Sequence, residues 1–205
     1  MLAWSVETAI ASGCFDRVVV STDDQEIASV AQSHGAEVPF MRPPELADDW
    51  AGTSPVVIHA LEQLRESGCE PEYVCCLYAT APLLLPQSLI DGLEGLQREP
   101  DKQFAFSVTS FAFPVQRALR LLPERSGVAP LYPDLIGQRS QDLEDAFHDA
   151  GQFYWGRTEA WLNRLSVFDS HSIPVILPRY RVQDIDTEED WQTAELVFQA
   201  LERRS

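Results

Sequence analysis

Lysine is almost absent. Lys102 is the only one in 205 residues, and 15 basic residues face 32 acidic ones, for a formal net charge of −17. A surface of that sign repels a nucleic-acid backbone, so a polyanion-binding role is excluded, although a few Arg residues can still build a pocket for one small anion. No Cys-x-x-Cys pair occurs. The four cysteines, Cys14, Cys69, Cys75 and Cys76, lack zinc-ligand spacing and read as reduced, buried thiols. No apolar run reaches the ~20 residues of a membrane span and no secretory signal is visible, so the reading is a cytoplasmic protein without a membrane partner. No Gly-x-Gly-x-x-Gly follows a strand, which disfavours a dinucleotide oxidoreductase. Internal repeats and low-complexity segments are missing too.

What is present is a globular composition, 45% hydrophobic and 23% charged, in a length that suits one domain over residues 1–205. Leu2 to Ser12 reads as a helix stopped by Gly13. Arg17 to Ser21 and Glu37 to Met41 read as short strands, the first of them buried. Between them Asp24 to His34 carries Ile27, Val30 and Ala31 at helical spacing, with Gly35 as its stop. Thr53 is a candidate cap for a helix from Pro55 to about Glu66, with Val57, Ala60, Leu61 and Leu64 as its inner stripe. Tyr73 to Tyr78 is a third strand, and Pro86 opens a helix to about Arg98. Strand and helix alternating in this order imply an α/β fold, a mostly parallel sheet covered on both faces. Ligands in such sheets sit at the carboxyl ends of strands, here Ser21 to Asp24 and Tyr78 to Pro82. Further on, Phe104 to Ser110, Arg117 to Leu122, Gly151 to Gly156 and Pro174 to Leu177 read as strands. Thr158 to Leu165 is a short helix. Thr187 with Asp190 opens the last helix as a capping box.

Residue chemistry marks several candidates, each with a plain alternative. Asp184 and Asp186, two apart in an extended stretch, project to one face and offer hard oxygens that suit Mg²⁺. A polar turn, with Asp186 helping to cap the last helix, fits the spacing as well. Arg42, held between a strand and two prolines, can fork onto phosphate or ribose oxygens, or pair with Glu45 on the surface. Ser21, Thr22 and Asp23 can face a ligand or serve as turn residues. Arg139, Gln141 and Tyr154 can meet a carboxylate, hydroxyls or acyl groups, or be loop and core residues. His148 beside Asp149 invites a general-base reading, which ranks below a substrate-contact or structural role.

Four sets of residues together resemble the acylneuraminate and pseudaminate cytidylyltransferases: Val18 to Asp24; Val38 to Asp49; Leu77 to Pro82; and the strings Arg139 to Leu143, His148 to Tyr154 and Gln183 to Thr187. Tyr78-Ala79-Thr80-Ala81-Pro82 and the His-Asp-Ala-Gly-Gln-Phe-Tyr string lean toward the pseudaminate branch. The resemblance implies a Rossmann-like nucleotidyltransferase fold and a reaction between CTP and a nine-carbon ulosonic acid, giving a CMP-sugar and pyrophosphate. It implies Asp184 and Asp186 as the catalytic metal pair, with Mg²⁺ as cofactor. It places Ser21, Thr22, Asp23, Arg42, Thr53 and Tyr78 at the nucleotide, and Arg139, Gln141, His148, Gln152 and Tyr154 at the sugar acid. It also implies a homodimer, with an insertion around 111–150 serving dimerisation or sugar binding.

One departure stands out. Family members open with a strand and an Ala-Arg-Gly-Gly-Ser-Lys-Arg-like loop that grips the triphosphate, and no such motif occurs in this sequence. The expectation is therefore a sheet lacking its first strand, between Val18–Val20 and the strand at Tyr73. The alternatives are a non-catalytic remnant or partner subunit, and a CMP-sialic acid synthetase.

Overall fold

The computed structural model describes residues 1–48 and 50–203; Asp49, part of one resembling segment, lies outside them. Helix α1 (Leu2–Ser12) ends where the sequence places its stop, because Gly13 adopts φ 66°, a left-handed conformation that costs glycine no Cβ clash. Helix α2 (Gln25–Ser33) starts at Asp24, whose carboxylate accepts hydrogen bonds from the backbone N–H groups of Glu26 and Ile27. Its buried face is Ala28 and Ala31. Ile27 and Val30, apolar at helical spacing, are exposed and border a cleft.

The two early strands are reduced to a single parallel bridge, Val19 to Glu37. Val18 and Val20 pack with Val6, Ala31 and Ala36 on one side. Their other side faces the cleft, so the repeated pairing that makes a strand is not there. Helix α3 (Thr53–Glu66) corrects a second expectation: its N-cap is Gly52, and Thr53 makes no cap hydrogen bond.

The main sheet uses β1 (Tyr73–Leu77), β2 (Phe104–Ser110), β5 (Phe147–Arg157) and β6 (Ser172–Ile176) in the order β1-β5-β2-β6. Strand β2 runs parallel to β6, and β5 runs antiparallel to both its neighbours. Three of the four strands therefore point one way, with β5 reversed among them. Helix α4 (Pro86–Arg98) follows β1, and α5 (Thr158–Leu162) follows β5. Strands β3 (Leu119–Leu121) and β4 (Val128–Pro130) form a separate hairpin within residues 111–146. Helix α6 (Glu188–Glu202) closes the fold behind a complete capping box of Thr187 and Asp190.

The side-chain alternation of β5 builds the three layers. Phe153 and Trp155 point into a cluster with Leu89 and Leu96 of α4, while Tyr154 points the other way, into a cluster with Val57 and Leu61 of α3 and Ala160 and Trp161 of α5. Trp155 is 2% exposed; it donates from Nε1 to the Leu89 carbonyl at 3.0 Å and stacks on Phe15 at 4.9 Å. Helix α4 reaches this ring because residue 92 is glycine: a Cβ there would lie 2.7 Å from Trp155 Cδ1.

A cleft of about 1210 Å³ runs along the other edge of β1. Val18 to Val20 form one wall and Tyr73 to Leu77 the opposite one. Leu2, Ser5 and Val6 of α1 line it, as do Val57, Ala60 and Leu61 of α3. All four cysteines border it as free thiols. Burial holds the Cys76 thiol up at about 12 and pushes Cys75 up as well, with the neighbouring Cys76 adding to it.

Candidate active site

The carboxyl ends of the two walls, Ser21 with Thr22 and Tyr78 with Thr80, both line the cleft. There Thr22 is buried, and its hydroxyl accepts from the Asp24 N–H at 3.1 Å, so its side chain serves the turn. The Thr22 carbonyl accepts from the Arg42 N–H at 2.8 Å, which fixes the Arg42 loop against this turn. Arg42 points its Nη2 at Asp23 Oδ1, 3.5 Å away, rather than at Glu45. Among the described residues, Ser21 Oγ and Arg42 Nε at this end are buried without a hydrogen-bond partner. Buried donors without partners are costly, and together these two ask for an oxygen-rich ligand.

The opposite rim is Tyr78. Ser5 of α1 donates to the carbonyls of Tyr78 and Ala79, at 2.9 and 3.2 Å, tying the helix to the loop after β1. The hydroxyls of Thr53 and Tyr78 lie 2.7 Å apart, which is where Thr53 spends the side chain that does not cap α3. The Tyr78 N–H donates to the Gln152 carbonyl at 2.9 Å, so β5 presents Gln152 and Tyr154 beside it. The rings of Tyr78 and Tyr154 are 5.5 Å apart, and the Tyr154 hydroxyl donates to Asp149 Oδ2 at 2.5 Å. Burial, first, and that bond to Asp149, second, hold the Tyr154 phenol far above its usual range. Gln152 is 2% exposed, gives its Nε2 to the Arg181 carbonyl at 2.6 Å, and keeps a buried Oε1 without a partner.

Arg181, whose carbonyl accepts from Gln152, precedes the candidate metal pair in the chain. Its guanidinium donates to the Leu83 carbonyl at 3.1 Å, just past the turn at Pro82. Asp184 and Asp186 follow in an irregular stretch with a bend at Asp186, not in a strand; both are exposed, neither lines the cleft, and neither carboxylate has a hydrogen bond among the described residues. Capping falls to Thr187 and Asp190. Asp186 gives only its backbone N–H to Asp190. The Thr187 hydroxyl and N–H hold the Asp190 carboxyl below the ordinary carboxylate range. Among the described residues no group of three or more His, Cys, Asp and Glu could hold an ion. Two carboxylates without a described hydrogen bond would suit a divalent cation, which takes one or two oxygens from protein and leaves its other positions to phosphate and water.

Other expected sugar contacts lie apart. Arg139 is exposed and forms a bidentate pair with Asp142 at 2.6 and 3.1 Å. Gln141 is exposed in the same turn. His148 is exposed on β5, its Nδ1 2.8 Å from the Asp149 carbonyl and its ring against Phe111. Sequence reasoning missed Ser5, Asp149 and Arg181. Asp149 stood next to His148 in the quoted string, but strand alternation hid its use.

A sheet end carrying buried unpartnered polar atoms beside the hydroxyls of Thr53 and Tyr78 fits a nucleotidyltransferase of α/β fold. A solved CMP:2-keto-3-deoxy-manno-octonic acid synthetase complexed with CTP shares the fold, at a TM-score of 0.62 and 13% identity over 96% of this chain and 88% of that one. The family model described as Cytidylyltransferase matches residues 1–117, and the chain belongs to that family. A pseudaminic acid cytidylyltransferase of Campylobacter jejuni is 42% identical over 198 residues, 97% of this chain and 84% of the relative. An N-acylneuraminate cytidylyltransferase of Escherichia coli is 26% identical over 204 residues, 100% of this chain and 47% of the relative.

Proposed function

We propose that this chain transfers CMP from CTP to a nine-carbon ulosonic acid, pseudaminic acid, with release of pyrophosphate. The observation that carries the sugar is 42% identity over 97% of the chain to an enzyme named for pseudaminic acid, against 26% to one named for N-acylneuraminate. The sugar's anomeric hydroxyl attacks the α-phosphorus; the new oxygen–phosphorus bond forms as the α–β bridge breaks and the hydroxyl proton is lost to solvent. Arg42 and Ser21 bind phosphate or ribose oxygens, satisfying the two atoms that have no partner. Gln152 and Tyr154 orient the sugar acid, and Tyr78 with Thr53 faces the nucleotide. A divalent cation held by Asp184 and Asp186, magnesium by its preference for oxygen ligands, would neutralise phosphate charge when bound. Pyrophosphate release should be followed with CTP and Mg²⁺, using pseudaminic acid or N-acetylneuraminic acid as acceptor. Release with the second sugar and not the first sinks the assignment.

Replacing Arg42 by Ala is expected to raise KM for CTP roughly ten- to a hundredfold, the effect of one charged hydrogen-bond donor, with KM for the sugar acid unchanged. Steady-state kinetics with each substrate varied in turn checks this.

Residues 1–205 are proposed to act as one domain, cytoplasmic in keeping with its nucleotide substrate. No described helix is long and apolar enough to cross a membrane. The arm at 111–146 is proposed as a homodimer contact: Phe113 is 82% exposed, and Leu119, Leu121 and Val128 of the hairpin are exposed beside it. Light scattering should then give twice the chain mass, and Leu121→Asp should return it to one. A monomer mass for the unaltered chain rejects the contact.

A further inference from the structure

Strand β1 has the sequence of a central strand and the place of an edge strand. Tyr73-Val74-Cys75-Cys76-Leu77 has no charged or amide side chain, the pattern of a strand covered on both faces. It nevertheless ends the sheet order β1-β5-β2-β6, and every residue in it is only part-buried. Sheet edges are normally blunted by a charge, a proline or a bulge. This one carries none of them.

Its backbone is half used. Tyr78 donates its N–H to Gln152, and the Glu72 carbonyl accepts from Thr158, so the even-numbered residues hold β5. Alternate residues of an antiparallel ladder turn their N–H and C=O groups to opposite edges. Those of Tyr73, Cys75 and Leu77 therefore face the cleft. The opposite wall repeats the pattern. Val18 accepts from the Glu37 N–H at 2.8 Å and Val20 donates to the Glu37 carbonyl at 2.9 Å. That turns the N–H and C=O of Val19 away from Glu37, toward the same cleft. None of these cleft-facing groups has a hydrogen bond among the described residues. The two open edges border about 1210 Å³, more than the roughly 300–1,000 Å³ of a small-molecule pocket.

Charge selects the occupant. Asp16, Glu70 and Glu72 come just before the two walls in the chain, and Asp24 and Glu26 just after the first; all are exposed and line the cleft. Arg17 and Arg42 line it too, but Arg17 is paired with Glu37 at 2.6 Å and Arg42 lies 3.5 Å from Asp23. Val18 to Val20 and Cys75 to Leu77 bring no charge between these rims. We infer that the cleft is a strand acceptor: it takes an extended apolar segment flanked by Lys or Arg, donated by another polypeptide, which pairs with β1 on one side and Val19 on the other. The basic flanks meet the acidic rims, and the apolar run meets the uncharged walls. With one lysine and a net charge of −17, a second copy of this chain is repelled rather than recruited.

The probe is the peptide Lys-Lys-Val-Ile-Val-Ile-Val-Lys-Lys added to the whole protein, read by residue-resolved amide hydrogen exchange. The amides of Val19, Tyr73, Cys75 and Leu77 are expected to exchange about tenfold slower with peptide bound, whereas those of Val74 and Cys76, already held by β5, keep their rates. Replacing the Lys flanks by Glu should weaken binding about tenfold. In the double variant Glu70→Lys with Glu72→Lys that preference should reverse at an unchanged melting temperature, because Glu72 meets β5 through its backbone. A peptide N-methylated along its apolar run should give no protection. Equal protection by it makes the cleft a hydrocarbon trough and overturns strand pairing. Protection that rises with protein concentration alone assigns the cleft to a second copy and overturns the donated strand. Indifference to flank charge overturns the basic donor, and no alternating protection at millimolar peptide overturns the acceptor itself. Exchange is read without turnover, so failure of the proposed CTP reaction leaves each of these outcomes intact.

Discussion

Asp186→Asn is expected to lower turnover of CTP about 10²- to 10³-fold, with stability within about 0.5 kcal/mol of the unaltered protein. The substitution keeps shape and removes one negative charge. Because Asp186 is exposed and its carboxylate bonds to nothing described, folding does not depend on that charge. A site that draws polyphosphate and a divalent cation does depend on it. Asp190, four residues later, gives the contrast. Asp190→Ala breaks the capping box and should lower stability by about 1 kcal/mol with turnover retained. Pyrophosphate release and thermal melting on both variants decide the matter. Full turnover in Asp186→Asn rejects the carboxylate pair as the cation site.

The largest effect on folding is expected at Trp155. Trp155→Ala should cost roughly 3–5 kcal/mol, a large share of the 5–15 kcal/mol that usually holds a domain together. The ring is nearly fully buried, bonds Leu89 through Nε1, stacks on Phe15 and fits the hollow opposite Gly92. Its loss empties the contact between α4 and β5 and leaves the Leu89 carbonyl without that donor. Chemical denaturation should show an earlier midpoint with an unchanged slope. An unfolding free energy within about 1 kcal/mol of the original would mean that this layer is not the one that holds the sheet.

The helices with strong local signals were legible in sequence. α1, α4 and α6 carry their own punctuation in Gly13, Pro86 and the Thr187–Asp190 box, and each begins or ends there. The strand at Tyr73 was legible as an unbroken apolar run and the one at Phe104 from its alternation. What escaped was whatever depends on partners far along the chain. The direction of β5 is set by its neighbours, and nothing in Phe147–Arg157 encodes it locally. Val18–Val20 has a strand's composition but meets one bridge. In the site, Arg42 and Tyr154 were named from their chemistry, whereas Asp149 needed the register shift between Phe106 and Val108 to be known before its carboxylate could be placed. Arg139 was read as a carboxylate partner and has one, supplied three residues away by Asp142.

The cleft along β1 also bears on behaviour in bulk solution. A strand edge flanked by hydrocarbon recruits any extended polypeptide that reaches it. A net charge of −17 keeps copies of this chain apart by mutual repulsion. Added salt weakens that repulsion and leaves the edge as sticky as before. Dispersion of the chain should therefore fall as ionic strength rises, and the near-absence of lysine contributes to that charge.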